Sequence, residues 1–326
     1  MENAIRRVRM TASGFVLLDK PEGITSRRAG ARVARLFGAK TFGHIGTLDP
    51  MASGLLVIAL DEATKMIPFL EGQGTRDEGK EYLFSIKWGI RTDTGDITGK
   101  ISERNDSVPE EAEVLKILPE LVGEYEQTPP AFSAKKIGGK PAYVLARKGL
   151  EPILRPKKIH VFELEALRAR NPPDAPGGFA LRVKCSPGTY VRALAQDIVS
   201  AVNRRSKFGP LLGTCDMIRR IKTNGFDIKD GRALDFLEKL FNNGETAPGD
   251  CLMPPDFGLD GIPVMKLEPK DAELFRHGGF VKSEPAIRNG GFVRIYSDSR
   301  FIGIGEIERG VLKPKRVLCE RHAEND

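Results

Sequence analysis

Asp49, in the run Gly-His-Ile-Gly-Thr-Leu-Asp-Pro that ends at Pro50, is the residue of this sequence best placed to do chemistry. It follows Gly46-Thr47-Leu48 and lies just upstream of an apolar run that should be buried. A carboxylate there can act as a nucleophile, although an Asp before a Pro also bonds its own backbone in ordinary turns. Arg192 falls in the first turn of a helix expected after Gly188. A cation there opposes the helix dipole by about 0.3–1 kcal/mol, so it gains from a carboxylate partner. A buried Arg–Asp pair would keep the carboxylate ionised and fix its orientation; a solvated arginine fits the spacing as well. Tyr82 opens an expected strand, and Tyr190 precedes Arg192. Either ring suits core packing with a wet hydroxyl, or the aromatic face needed against a base flipped from RNA. His44, close before Asp49, is a structural hydrogen-bonder or an acid–base group.

These residues need a scaffold, and the patterning predicts one. Phe15–Leu18 reads as a strand with a turn at Lys20-Pro21-Glu22-Gly23. Thr25 or Ser26 then caps a helix reaching about Phe37, with Gly38 as its stop. Ala29, Val33, Leu36 and Phe37 form its apolar stripe beside a basic row of Arg28, Arg32 and Arg35. Leu55–Leu60 predicts a buried strand and Tyr82–Ile90 another. Ser107-Val-Pro-Glu110 predicts a capping box for a helix carrying Val114, Leu115, Leu118 and Leu121. Leu181–Cys185 reads as a strand, followed by a helix with Val191, Leu194, Ala195 and Ile198 on one face; Ala233–Phe241 is a further helix. Mixed strands and helices without regular βαβ alternation predict an α+β fold. After about Asp250, Pro254, Pro255, Gly258, Gly261 and Pro263 read as a linker. Short apolar pieces at Phe292–Tyr296, Phe301–Ile307 and Val311–Leu318, the last around a Lys-Pro-Lys turn, predict a small β-rich domain.

The chain's 326 residues suggest roughly two domains. No apolar run approaches the ~18 residues of a membrane span, and Met1–Arg7 lacks the apolar core of a secretory signal. The four cysteines and four histidines show no metal-ligand spacing, so a reducing compartment, the cytosol, is expected, with neither zinc nor disulfides. The net charge of +7 is modest, but its distribution is uneven. Five basic and no acidic residues fall between Gly23 and Leu48, and eight basic against Glu151 between Ser133 and His160. Six more face only Asp216 between Arg204 and Lys222, while acidic residues gather at Glu103–Glu113. Such clusters suit a phosphate backbone, or a solvated surface.

Five ordered blocks carry a resemblance. Gly43-His-Ile-Gly-Thr-Leu-Asp-Pro-Met-Ala-Ser-Gly-Leu-Leu56 resembles the signature motif of the TruB family of tRNA pseudouridine synthases. Gly14-Phe-Val-Leu-Leu-Asp-Lys-Pro-Glu-Gly-Ile-Thr-Ser26 resembles its opening motif. Gln127-Thr-Pro-Pro-Ala-Phe-Ser-Ala-Lys-Lys136, with Tyr143 and Ala146-Arg-Lys-Gly149, resembles its middle block. Cys185-Ser-Pro-Gly-Thr-Tyr-Val-Arg-Ala-Leu-Ala-Gln-Asp-Ile198 resembles the block with its active-site arginine. Phe301–Ile307 with Leu312-Lys-Pro-Lys-Arg316 resembles the closing strands of a PUA-like tail.

The resemblance implies a pseudouridine-synthase core over 1–253, with a mixed, mostly antiparallel sheet flanked by helices, and a PUA-like domain over 254–326. An insertion at about 128–155 would grip the RNA. Asp49 would be the catalytic aspartate, Tyr82 the stacking tyrosine and Arg192 the partner of Asp49. Tyr190 would line the pocket and His44 would help displace the base; Lys20 and Arg219 complete the expected substrate-binding set. The implied reaction isomerises uridine 55 in the T-loop of tRNA without metal or organic cofactor. The implied protein is a monomer that binds the tRNA T-arm, needs no obligate protein partner and leaves membranes alone. The run Gly213-Thr-Cys-Asp-Met-Ile-Arg-Arg-Ile221 departs from the family, with Thr214 and Cys215 in place of the usual small residue and histidine. Asp61 replaces a common glycine, and Leu150–Pro176 does not align. A guide-RNA-dependent relative and a non-catalytic RNA-binding or RNA-folding module are the competing readings. A dinucleotide-binding oxidoreductase has no Gly-x-Gly-x-x-Gly run to support it.

Overall fold

The computed structural model describes residues 13–72, 79–133, 135–146, 148–150, 152–167, 179–206, 210–243, 251–282 and 290–319. Met1–Arg7 and, within Leu150–Pro176, residues 151 and 168–176 lie outside the described residues. The chain forms two compact units, one from residues 1–49, 55–78 and 224–326, the other from 50–54 and 79–223.

The first unit opens with β1 (Gly14–Lys20), α1 (Ser26–Leu36), β2 (Phe42–Ile45), β3 (Ser53–Leu60) and α2 (Ile67–Glu71). The second holds β4 (Lys80–Trp88), β5 (Ile90–Thr92), β6 (Ile101–Arg104), α3 (Glu111–Ile117), β7 (Gly123–Gln127), β8 (Lys136–Ile137) and β9 (Lys140–Pro141). It continues with α4 (Ala142–Ala146), β10 (Lys157–Ala166), β11 (Phe179–Cys185), α5 (Val191–Arg205) and β12 (Gly213–Thr223). The chain returns to the first unit with β13 (Phe226–Asp227), β14 (Arg232–Ala233), α6 (Leu234–Asn243), β15 (Val264–Lys266) and α7 (Pro269–Arg276). It closes with β16 (Val281–Lys282), β17 (Phe292–Ser297), β18 (Arg300–Glu308) and β19 (Val311–Val317). The class is α+β, as the lack of βαβ alternation predicts.

In the second unit, β12, β4, β11, β10 and β7 lie side by side, each antiparallel to its neighbours. Ser53 and Gly54, at the start of β3, pair in parallel with Arg219 and Arg220 of β12. Gly54 is required there. Its φ is +99°, and a Cβ would sit 2.3 Å from the Arg220 carbonyl oxygen. Helix α5 buries Val191, Leu194, Ala195 and Ile198, the face its spacing predicts, together with Val199 and Val202.

In the first unit, β1 lies between β14 and β3, parallel to β14, and β2 pairs antiparallel with β3. Thr25 caps α1, its hydroxyl accepting from the Arg28 N–H. Of the basic row on α1, Arg32 is committed to a bidentate pair with Glu238 of α6. A second sheet runs β15-β17-β18-β19-β16 over a core that includes Phe275, Ile295, Ile302 and Leu312.

Four expectations are corrected. Glu110, not Ser107, is the N-cap of α3, because Val108 precedes a proline and is driven out of the helical region. The Lys-Pro-Lys segment is not a turn: β19 runs straight through Pro314. There β18 shifts register at Ile304/Gly305, and the pairing of β16 extends only over Val311 and Leu312, so the missing N–H costs little. The stretch read as a linker is packed. Leu259 and Ile262 are buried in one core with Phe15, Leu17, Leu55, Val57 and Ile304. The tail also carries a helix, α7, that its β-rich reading omitted.

Candidate active site

Asp49 lies within the loop that follows β2 (Phe42–Ile45) and precedes β3 (Ser53–Leu60), and α1 holds the residue before it. The buried Ser26 hydroxyl, at the start of α1, donates to the Leu48 carbonyl at 3.0 Å and accepts the Leu48 N–H at 2.9 Å. His44 lies on β2 opposite Ile58, and its Nε2 shares a 3.0 Å hydrogen bond with the Thr47 hydroxyl. The Gly46 N–H donates to Glu71 at 3.2 Å. Lys20 is fully buried and donates to the carbonyls of Pro21 and Ile24 at 2.8 and 2.9 Å. Those bonds brace the turn leading into α1. Asp61 brings a function of its own. Its Oδ1 accepts the N–H groups of Lys40 and Thr41 at 2.9 and 2.8 Å, tying the entry of β2 to the end of β3.

In the second unit, Arg192 is 3% exposed in the first turn of α5. Its guanidinium donates to the Thr94 carbonyl at 2.8 Å and the Phe132 carbonyl at 2.7 Å, and pairs with Asp96 at 3.5 Å. Asp96, also buried, accepts at Oδ1 from the Thr94 hydroxyl, the Thr98 N–H and the Thr98 hydroxyl at 3.0, 3.0 and 2.6 Å. Such bonds hold the carboxylate in register for the arginine. The residue escaped the sequence reading because Thr-Asp-Thr-Gly-Asp-Ile-Thr-Gly looks like any polar loop. A carboxylate flanked by threonines that can bond it was the available signal.

The loop bearing Asp96 is fastened to β12 by the two residues that depart from the family pattern. The buried Thr214 hydroxyl bonds the Thr92 hydroxyl at 2.9 Å, and Thr92 also donates to the Asp96 carbonyl at 2.7 Å. The Cys215 backbone accepts from Ile97 at 2.9 Å and donates to Gly95 at 3.1 Å. Arg219 is half-buried and Arg220 is 1% exposed on the same strand. Tyr82, 8% exposed on β4, pairs with Arg220 on one side and Val183 on the other. Tyr190 is half-buried at the N-cap of α5.

Tyr82, Tyr190, Arg192 and Arg219 therefore belong to the second unit, while Lys20, His44 and Asp49 belong to the first. Asp49 is bonded to Pro50, where the 50–54 segment of the second unit begins. Among the described residues, no group of three or more His, Cys, Asp or Glu side chains is arranged to hold a metal. No helix among them is long and apolar enough to cross a membrane.

Residues 34–191 match the model of the TruB family pseudouridylate synthase N-terminal domain, and 263–318 that of the pseudouridine synthase II TruB C-terminal region. The chain is 38% identical to tRNA pseudouridine synthase B of Bradyrhizobium diazoefficiens, an alignment covering 97% of this chain and 88% of that one. The chain belongs to the TruB family of pseudouridine synthases. A second TruB relative, tRNA pseudouridine synthase B of Aquifex aeolicus, is 39% identical over 94% of this chain and 99% of its own. The TruB-family chain also shares its fold with solved structures. It matches a chain of an H/ACA RNP bound to a substrate RNA containing 2'-deoxyuridine, with TM-score 0.62, 19% identity, and coverage of 95% and 86%. It matches the archaeal box H/ACA sRNP Nop10-Cbf5 complex with TM-score 0.63, 19% identity, and coverage of 97% and 89%. As a TruB-family member the chain is an isomerase.

Proposed function

We propose that this chain converts uridine 55 in the T-loop of tRNA to pseudouridine, with Asp49 as the catalytic carboxylate. The observation that carries this reading is near-full-length identity of 37–39% to relatives named tRNA pseudouridine synthase B. The blocks holding Asp49, Tyr190 and Arg192 stand in the order the family requires. The reaction is redox-neutral. The bond from the sugar C1' to N1 breaks, the uracil turns, C1' bonds to C5, the C5 hydrogen leaves and N1 gains a proton. A carboxylate can serve by attacking the sugar, by attacking the base, or by stabilising the cleaved state. All three routes need it as an anion.

In this reading Arg192, held by Thr94, Phe132 and Asp96, is the charge partner of Asp49. Tyr82 stacks on the flipped ring, Tyr190 lines the pocket, and His44 and Arg219 contact the displaced loop. Basic residues of the 128–155 insertion, including Lys135 and Lys148, grip the T-arm, and such contacts are salt-sensitive. The protein acts as a monomer without guide RNA or obligate partner, and residues 254–326 form a tail domain that adds RNA contacts.

Site-resolved pseudouridine mapping on an unmodified tRNA transcript tests this, with the purified wild type beside Asp49→Asn. The wild type alone is expected to modify position 55. Asp49→Asn is expected to bind tRNA within about tenfold, roughly 1.4 kcal/mol, of wild type, and to form no product. Turnover by the variant, or a requirement for guide RNA, would overturn the proposal.

A further inference from the structure

The helix that carries Tyr190 and Arg192 starts without the usual local help. Tyr190 is its N-cap, has extended backbone angles and gives no side-chain cap. In a capping box, a Glu or Gln at the third helical position reaches back to the N-cap N–H; here that position is Ala193. The missing acceptor comes from another element. Gln127, at the end of β7 and 2% exposed, accepts the Tyr190 N–H at its side-chain oxygen at 2.8 Å. Its amide nitrogen donates to Asp197 Oδ2 at 3.2 Å, and the Tyr125 hydroxyl donates to the same oxygen at 3.1 Å.

The polarity of this relay is determined. The Tyr190 N–H can only donate, so the amide oxygen must face it, and the amide NH2 then needs an acceptor. Asp197 is that acceptor, on the helix being held, so the glutamine bonds α5 at two points more than one turn apart. Burial pushes the Asp197 carboxyl upward, and the bonds from Gln127 and Tyr125 and the charge of Arg204 oppose that push.

We propose that Gln127 and Asp197 are positioning residues for the isomerisation: through the Tyr190 N–H they set the first turn of α5, and with it the Arg192 guanidinium and the Tyr190 ring. This rests on the reading that those two side chains serve the reaction.

The test reverses the relay. Gln127→Glu keeps an acceptor for Tyr190 but sets one carboxylate against another. Gln127→Glu with Asp197→Asn restores a donor–acceptor pair of opposite sense, the new amide donating to the new carboxylate. Single-turnover rates on an unmodified tRNA transcript, tRNA affinity and thermal unfolding are measured at mildly alkaline pH. Gln127→Glu is expected to lose about 10²-fold in rate, the cost of an ångström-scale misplacement, with affinity unchanged, and the double variant to regain most of it. A double variant as slow as Gln127→Glu, or Gln127→Glu as fast as wild type, would overturn the proposal. If Gln127→Glu does not fold, Gln127→Met, which removes both bonds at similar volume, carries the same expectation of lost rate, and an unchanged rate overturns it. An Asp49→Asn control separates the two claims: turnover there sinks the Asp49 reading, whereas the relay is judged on the Gln127 variants relative to wild type.

Discussion

Ser26 and Leu48 are joined twice through one hydroxyl, which donates to the Leu48 carbonyl at 3.0 Å and accepts its N–H at 2.9 Å. The residue before Asp49 is thus fixed to the first turn of α1 by a buried hydroxyl. Ser26→Ala would strand both Leu48 backbone groups, at about 1–3 kcal/mol for a buried unsatisfied polar atom. The expected outcome is a lower urea midpoint and a slower isomerisation with tRNA affinity retained. A variant as stable and as fast as wild type would show that the loop does not need this strap.

Asp96 is predicted to be the most sensitive residue outside the expected set. Breaking a buried ion pair by removing one partner costs about 3–5 kcal/mol, and Arg192 and Asp96 are both buried. Asp96→Ala should therefore lower stability sharply. Asp96→Asn should fold better but turn an amide toward the guanidinium and slow the reaction. Denaturant titration and single-turnover rates on the two variants check this; equal rates for Asp96→Asn and wild type would refute it.

Glu81 sets an acid limit on the second unit. Burial pushes its carboxyl upward, but hydrogen bonds and charge from Arg182 at 2.6 Å and Lys222 at 3.2 Å outweigh that, and the net shift is downward from 4.5. A group depressed on folding contributes its stability fully above its unfolded value and loses it as pH falls through the lower folded value. Unfolding followed from pH 6 downward should show a loss beginning near 4.5 that is weaker in Glu81→Gln. Identical acid limbs for the two proteins would count against the pair.

The cysteines should separate by reactivity. Cys185 is buried, and that burial, ahead of the effects of Thr189 and Lys80, pushes its thiol up to about 11. Cys215 is buried and Cys319 exposed. Because the thiolate is the reactive form, iodoacetamide on the native protein should label Cys319 and spare Cys185 and Cys215. Mass spectrometry of tryptic peptides reads the result, and early labelling of Cys185 would contradict it.

Gly54→Ala should be poorly tolerated. A Cβ there meets the Arg220 backbone at 2.3 Å in a left-handed conformation, so strain and clash add. A loss of about 3 kcal/mol or more is expected by denaturant titration, against a small effect for alanine at Gly225, where a Cβ has open space and only the φ of +77° opposes it.

Much of the scaffold was legible because its patterns are local. Thr25 before an apolar stripe marked α1, the run of Leu55–Leu60 marked β3, and the period of Val191, Leu194 and Ile198 marked α5. The strand β12 was not seen. Its buried Arg220 inverts the rule that charge faces outward, so Gly-Thr-Cys-Asp-Met-Ile-Arg-Arg shows no alternation to follow. In the sequence Arg192 is a cation that gains from a carboxylate, with Asp49 the expected partner, while Asp96, almost a hundred positions away, could be joined to it only by the fold. Gln127 opens the run Gln127–Lys136 that resembles the family's middle block, but nothing in a sequence says that a glutamine on one strand completes the cap of a distant helix.

Leu259, Ile262 and Ile304 share one apolar core with Phe15, Leu55 and Val57. A premature stop codon near residue 250 would therefore do more than shorten the protein. It would leave the wall of an oily interior open to water, and quality-control proteases would meet a chain that cannot finish folding. Genetically, a stop that removes Leu259, Ile262 and Ile304 should therefore behave as a full loss of the protein.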